Sequence, residues 1–163
     1  MKSWEQRPRE FACLLNPAFC GMISLKGIAT YQNGAGHGAP YVFPFLLLPL
    51  VLHKPTRDSM PRSFRRSFLD WILDEDSADI RFSFAGRAKK QLPFVREGLL
   101  FAFRHARLSV TADGLLCTHE PERKSRIISG EVGGIFQAAE ICGRHLAYID
   151  DMATIMSVLG VRP

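Results

Sequence analysis

The sequence predicts a mostly α domain, α+β in detail, with one small β-hairpin. Three observations predict it. The 163 residues match one ordinary domain and are too few for two that each bury a large core. Apolar residues recur at helical spacing in several segments. The dipeptide Asp113-Gly114 sits between two short apolar runs, which is the pattern of a tight hairpin. Hydrophobic residues make up 47% and charged residues 23%, which excludes disordered and fibrous classes. No segment repeats at the periods of roughly 20–50 residues that mark solenoids.

In chain order, Asn16 is placed to cap a helix with Pro17 at its first position, where the missing N–H costs nothing. Cys20, Ile23, Gly27 and Ile28 would share one face of it. Asn33 to Pro40, with three glycines in a GxGxG pattern, reads as a flexible loop. A phosphate cradle needs a strand before the glycines and a helix start after them, and here a helix precedes and Pro40 follows. Tyr41 to His53 is strongly apolar but holds Pro44 and Pro49, and its 13 residues fall short of the roughly 20 that span a bilayer. It reads as core. His53 to Asp58 reads as a turn. From about Arg62 to Leu73, Phe64, Phe68, Trp71 and Ile72 form an apolar helical stripe, with Arg62, Arg65 and Arg66 on the outer side.

Residues 81–118 read as a winged-helix-like part. A short helix begins at Phe84 to Ala88, and Pro93 opens a second that runs to about His105, the two meeting at a turn. Two strands, Ala106 to Val110 and Leu115 to Thr118, then flank Asp113-Gly114. Glu120 to Arg126 is a charged linker. Residues 131–159 form a C-terminal helical part, with Ile135, Ala138, Ala139, Cys142, Leu146 and Ile149 on one stripe and Thr154 to Leu159 continuing helical.

The 21 Lys and Arg against 16 Asp and Glu give a net charge of +5, which permits nucleic acid or an acidic protein as partner and requires neither. Between Arg81 and Arg107 seven cations face Glu97 alone. Winged helices bind DNA or dock proteins, so that composition leaves both open. The candidate partner- or DNA-binding residues are Arg62, Arg65, Arg66, Arg87, Lys89, Lys90, Arg96 and Arg104. Base readout needs Arg, Asn or Gln displayed along a helix, whereas Pro93 to His105 is mostly apolar around Arg96 and Arg104, a composition suited to docking.

The chemistry on offer is sparse. Cys117-x-His119 and Cys142-x2-His145 could supply four zinc ligands, but the spacing matches no common finger, and burial is the ordinary use of free cysteine. Cys20 with His53 could form a nucleophile and base, with no recognisable elbow around either. Asp70, Asp74, Glu75, Asp76 and Asp79 could bind a metal, although such runs are usually a solvated helix end. No phosphate cradle, HExxH or GxSxG motif is present, so neither an enzyme nor a cofactor is expected. Four cysteines without framework spacing, and an N-terminus with no apolar signal region, predict a cytoplasmic protein.

Several separated motifs carry a resemblance. Leu15-Asn16-Pro17-Ala18-Phe19-Cys20, Leu48-Pro49-Leu50-Val51-Leu52-His53-Lys54 with Thr56-Arg57, and Leu159-Gly160-Val161-Arg162-Pro163 are joined by Arg87-Ala88, Leu92-Pro93-Phe94-Val95-Arg96-Glu97 and Asp113-Gly114. In this order they span nearly the whole chain, which resembles the middle component of bacterial ABC-three-component systems, the group that includes Lamassu-type defence. The resemblance implies a small non-enzymatic subunit bridging an SMC/Rad50-like ABC ATPase dimer and an effector, often a nuclease, much as kleisins with winged helices bind SMC heads. It implies contact with phage or plasmid DNA through the complex, and no membrane. The alternative is a winged-helix DNA-binding regulator acting alone. The chain departs from the family's pattern in its glycine-rich loop and in Gly98, which costs a helix interior roughly 1 kcal/mol relative to alanine.

Overall fold

One long helix, α1 (Pro17–Ala35), lies at the centre of the computed structural model, which describes residues 15–63, 65–119 and 129–161. Asn16 is extended and its Oδ1 accepts the Ala18 N–H at 2.8 Å, with Pro17 at the first helical position. Cys20, Ile23, Gly27, Ile28 and Tyr31 are all buried. The elements that follow are β1 (Ala39–Pro40), α2 (Phe43–Val51), α3 (Lys54–Ser59), α4 (Phe68–Leu73), a 3₁₀ turn (Glu75–Ser77), α5 (Ala78–Arg104), β2 (Leu108–Val110), β3 (Leu115–Thr118), α6 (Gly130–Ile149) and α7 (Met152–Val158). The architecture is mostly α with a small hairpin, as the sequence predicts.

Bare backbone sets how closely the long helices cross. A Cβ on Gly98 of α5 would lie 2.8 Å from both the Cys20 Cβ and the Gly21 nitrogen of α1, and one on Gly143 of α6 would lie 2.6 Å from the Gly27 carbonyl oxygen. Helices α5 and α6 therefore both rest against α1 at glycine, and α2 contacts all three. Gly98, the departure noted in the sequence, thus gives up helix propensity for a close crossing. Helix α2, FPFLLLPLV, is buried almost throughout, so the apolar run is core as expected. No described helix is long and apolar enough to cross a membrane.

The structure corrects five local expectations. The predicted pair of helices at Phe84 to Ala88 and Pro93 to His105 is one 27-residue helix with Pro93 inside it. A proline there loses its N–H bond and costs about 3 kcal/mol. Phe84 before it and Val95, Leu99 and Ala102 after it are all buried in the same core, and that burial offsets the cost of continuing the helix through Pro93. The hairpin follows directly, with Leu108 opposite Thr118 and Val110 opposite Leu116.

The predicted loop from Asn33 to Pro40 is mostly ordered structure. Asn33, Gly34 and Ala35 complete α1, Gly36 closes it at φ +77° by donating its N–H to the Gln32 carbonyl, and Ala39–Pro40 pairs antiparallel with β3 to make a sheet of order β1-β3-β2. Gly34 packs where a Cβ would lie 2.9 Å from Ala147, and Gly38 where one would lie 2.6 Å from the Cys117 sulfur. The GxGxG pattern is accounted for by packing and one left-handed cap.

The predicted helix from Arg62 to Leu73 shortens to α4, because Ser67 is extended and its hydroxyl accepts the Asp70 N–H at 2.9 Å, capping the helix there. Phe68, Trp71 and Ile72 are buried as the stripe requires, while Phe64 lies outside the described residues. The predicted turn at His53 to Asp58 is helical, with Pro55 in the first turn of α3. The C-terminal stripe is buried on α6 from Ile135 to Leu146 as expected, with Ile149 half-buried, but the helix breaks at Asp150, which is left-handed at φ +48°. Asp151 then starts α7 by accepting the Ala153 and Thr154 N–H groups. The linker at Glu120 to Arg126 lies outside the described residues.

The α6–α7 break is tied to the glycine-rich segment. Asp150 accepts from the Tyr31 hydroxyl and lies 3.0 Å from His37 Nε2, while His37 Nδ1 lies 3.0 Å from the Gly38 carbonyl oxygen. Both ring nitrogens face acceptors, so the imidazolium satisfies the geometry, and the Gly38 carbonyl followed by Asp150 raises the His37 pKa above its ordinary 6.5. The Tyr31 hydroxyl, then His37, lowers Asp150 below 3.8. The raised histidine contributes stability fully below 6.5 and loses it as pH climbs through the raised value; the depressed carboxylate contributes above 3.8 and loses it only in stronger acid. His37→Gln is therefore expected to destabilise more at about pH 5.5 than at about pH 8.5 in denaturant melts. A difference that grew toward alkaline pH would contradict the clasp.

Candidate interaction surface

Once α5 is continuous, its two sides separate cleanly. At about 100° per residue, Phe82, Gly86, Lys89, Pro93, Arg96, Leu100 and Arg104 fall on one side, opposite Ile80, Phe84, Val95 and Ala102, which enter the core. Phe82 is 82% exposed and Leu100 59%. Lys89, Lys90, Arg96 and Arg104 are exposed, and none makes an ion pair with a described residue. Three of the eight predicted residues, Lys89, Arg96 and Arg104, thus share the outer side of one rod about 40 Å long, and Lys90 is exposed on its flank. The sequence reading missed Phe82 and Leu100, since splitting the helix at Pro93 broke the spacing that aligns Phe82, Lys89 and Arg96.

At the Phe82 end the stripe opens on a groove of about 580 Å³ lined by His53, Pro55, Asp79, Ile80, Phe82 and Ser83. Burial, then the nearby Arg87 and Arg57 charges, lowers the His53 pKa, and its Nδ1 lies 2.7 Å from the Thr56 hydroxyl.

The remaining predicted cations do not join the stripe. Arg87 turns inward, donating to the Ser83 hydroxyl and the Ile80 carbonyl with its guanidinium 5.8 Å over the Phe84 ring, and burial lowers its pKa. Arg62, Arg65 and Arg66 lie in the segment entering α4 rather than on a helix face, and Arg66 pairs with Asp74.

The other candidate chemistries come apart. Burial pushes the Cys142 thiol up to about 12, and burial followed by the Glu97 charge does the same to Cys20, so both stay protonated. His53, the proposed base for Cys20, is bonded to Thr56 instead. His145 is buried with Nε2 2.9 Å from the Pro61 carbonyl oxygen, whereas His119 is exposed beyond β3. Among the described residues no three His, Cys, Asp or Glu groups come close enough to hold a metal, and that covers both the zinc set and the acidic run. Asp74 instead caps the 3₁₀ turn by accepting the Asp76 N–H.

Comparison with known proteins gives one result. No curated protein and no solved structure matches the chain. The family model described as ABC-three component (ABC-3C) system Middle Component 3 matches residues 4–163. That match takes in α1, the α2–α3 junction, the whole of α5 and the hairpin, where the resembling motifs lie. The chain belongs to the Middle Component 3 family of ABC-three-component systems.

Proposed function

We propose that this chain is a non-enzymatic bridging and regulatory subunit that links an SMC/Rad50-like ABC ATPase dimer to an effector, a nuclease in the fullest form of the reading, in a Lamassu-type cytoplasmic complex directed against phage or plasmid DNA. Family membership supports association with other components of the system. The observation that carries the docking role is the outer side of α5: two large apolar side chains in water, interleaved with Lys89, Arg96 and Arg104 and flanked by Lys90, none with a described counter-ion. Apolar anchors ringed by charge are what a protein interface displays before its partner arrives. DNA enters through the assembled complex. The regulator alternative rested on a helix-turn-helix before the hairpin, and a single helix stands there instead.

Co-purification tests the function. Co-expressed with the products of its neighbouring genes, the chain is expected to recover a large coiled-coil ATPase and the effector at fixed stoichiometry. Recovery of neither, together with a sequence-preferring shift of a DNA duplex by the chain alone, would overturn the reading.

A further inference from the structure

A subunit that joins two partners needs a second surface, and the side of the molecule formed by α3 and α6 carries one with its own chemistry. A small open cleft of about 60 Å³ lies between the residues around Arg57 to Arg62 and α6. Its apolar floor is Met60, Ala138 and Ile141, all buried, and its rim holds Arg57, Asp58, Arg62 and Gln137. The Arg57 side chain is 7% exposed and fixed in place, Nη1 donating to the Val51 carbonyl at 2.9 Å and Nη2 to Glu131 Oε1 at 2.9 Å. Glu131 is 69% exposed, so one carboxylate already reaches this guanidinium from solvent. Arg62 is exposed and makes no close ion pair with a described residue, although its charge, after those of Lys54 and Arg57, helps to lower the pKa of Asp58 on the same rim. At Gly134 a Cβ would meet nothing within 4 Å, so the space beside the mouth is open.

We propose that this cleft receives an aspartate or glutamate side chain of a second protein component, distinct from the one docked on α5. The charge balance selects a carboxylate. Arg57, Arg62 and Lys54 face Asp58 and Glu131, with Asp58 held by Lys54, which leaves a single positive charge suited to a monoanion rather than to a phosphate dianion. Size agrees, since about 60 Å³ is on the order of two water volumes, enough for a carboxylate head. The source is a protein because the same side of α6 continues as a surface: Arg144 is exposed two turns beyond Gln137, and Tyr148 one turn further is 82% exposed. Arginine and tyrosine are the residues on which interfaces concentrate their affinity. A free small acid would bury little of itself in so shallow a cleft.

The inference rests on the bridging reading, and the test separates the two. Each of the other two components of the system is co-expressed singly with the chain and captured. Arg62→Glu/Gln137→Glu alters exposed side chains only and leaves Arg57 to hold Val51. It is expected to lower recovery of one component at least tenfold and leave the other at the wild-type level, whereas Arg96→Glu/Arg104→Glu does the reverse. Tyr148→Ala is expected to weaken the same component as the cleft variant, and Arg62→Lys/Gln137→Asn to retain most of it. Wild-type recovery of both components by Arg62→Glu/Gln137→Glu, with unchanged melting, would overturn the cleft while leaving the bridge intact. Failure of the unaltered chain to recover either component would overturn both.

Discussion

Leu50→Ala is expected to destabilise the protein by about 2–5 kcal/mol, because the side chain is fully buried in α2 and its loss leaves a cavity that the surrounding helices can only partly close. For a chain of this size that lowers Tm by roughly 4–20 °C. Leu50 lies in the segment that contacts α1, α5 and α6, so the effect should appear as loss of global stability in thermal and denaturant melts rather than local fraying. An unchanged Tm would show that the apolar run is not the core.

The second large effect is a reversal of sign along one helix. Gly86→Ala places a methyl group in open space on the outer side of α5 and is expected to stabilise by about 0.5–1 kcal/mol. Gly98→Ala, three turns on, offers the same gain in propensity but drives its Cβ to 2.8 Å from the α1 backbone, where no flexible side chain can yield. Overpacking of that kind typically costs about 1–3 kcal/mol, so the net change should be a loss. Gly143→Ala, aimed 2.6 Å from the Gly27 carbonyl, should behave like Gly98→Ala. If Gly98→Ala stabilised as Gly86→Ala does, the close crossing of α1 and α5 would be wrong.

The contrast between these glycines shows what the sequence makes visible. Local signals worked where a residue acts on its neighbours: Asn16 and Pro17 starting α1, Asp113-Gly114 turning the hairpin, and the stripe from Ile135 to Leu146 marking the buried side of α6. They failed where distant packing outweighs local preference. Pro93 is a strong punctuation mark on its own, yet α5 continues through it with buried side chains on both flanks. Asn33 to Pro40 reads as loop because its glycines are counted without the β3 strand and Ala147 that they approach. The same limit governs the candidate site. The excess of cations was legible as composition, but its division into an outward stripe, an inward Arg87 and the Arg62 to Arg66 segment depends on the phase of one continuous helix. Phe82 and Leu100 could be found only after that phase was known.

The central claim is that the outer side of α5 docks another component of the system, and reversing its charge while the anchors remain tests this most directly. Affinity of purified Arg96→Glu/Arg104→Glu for the captured component, measured against the unaltered chain at two salt concentrations, is expected to fall at least tenfold, or about 1.4 kcal/mol, with unchanged melting. Any loss of DNA binding should be small and uniform across duplex sequences. A double variant that kept its partners and lost preference for one particular duplex would contradict the docking account and return α5 to the role of a DNA reader.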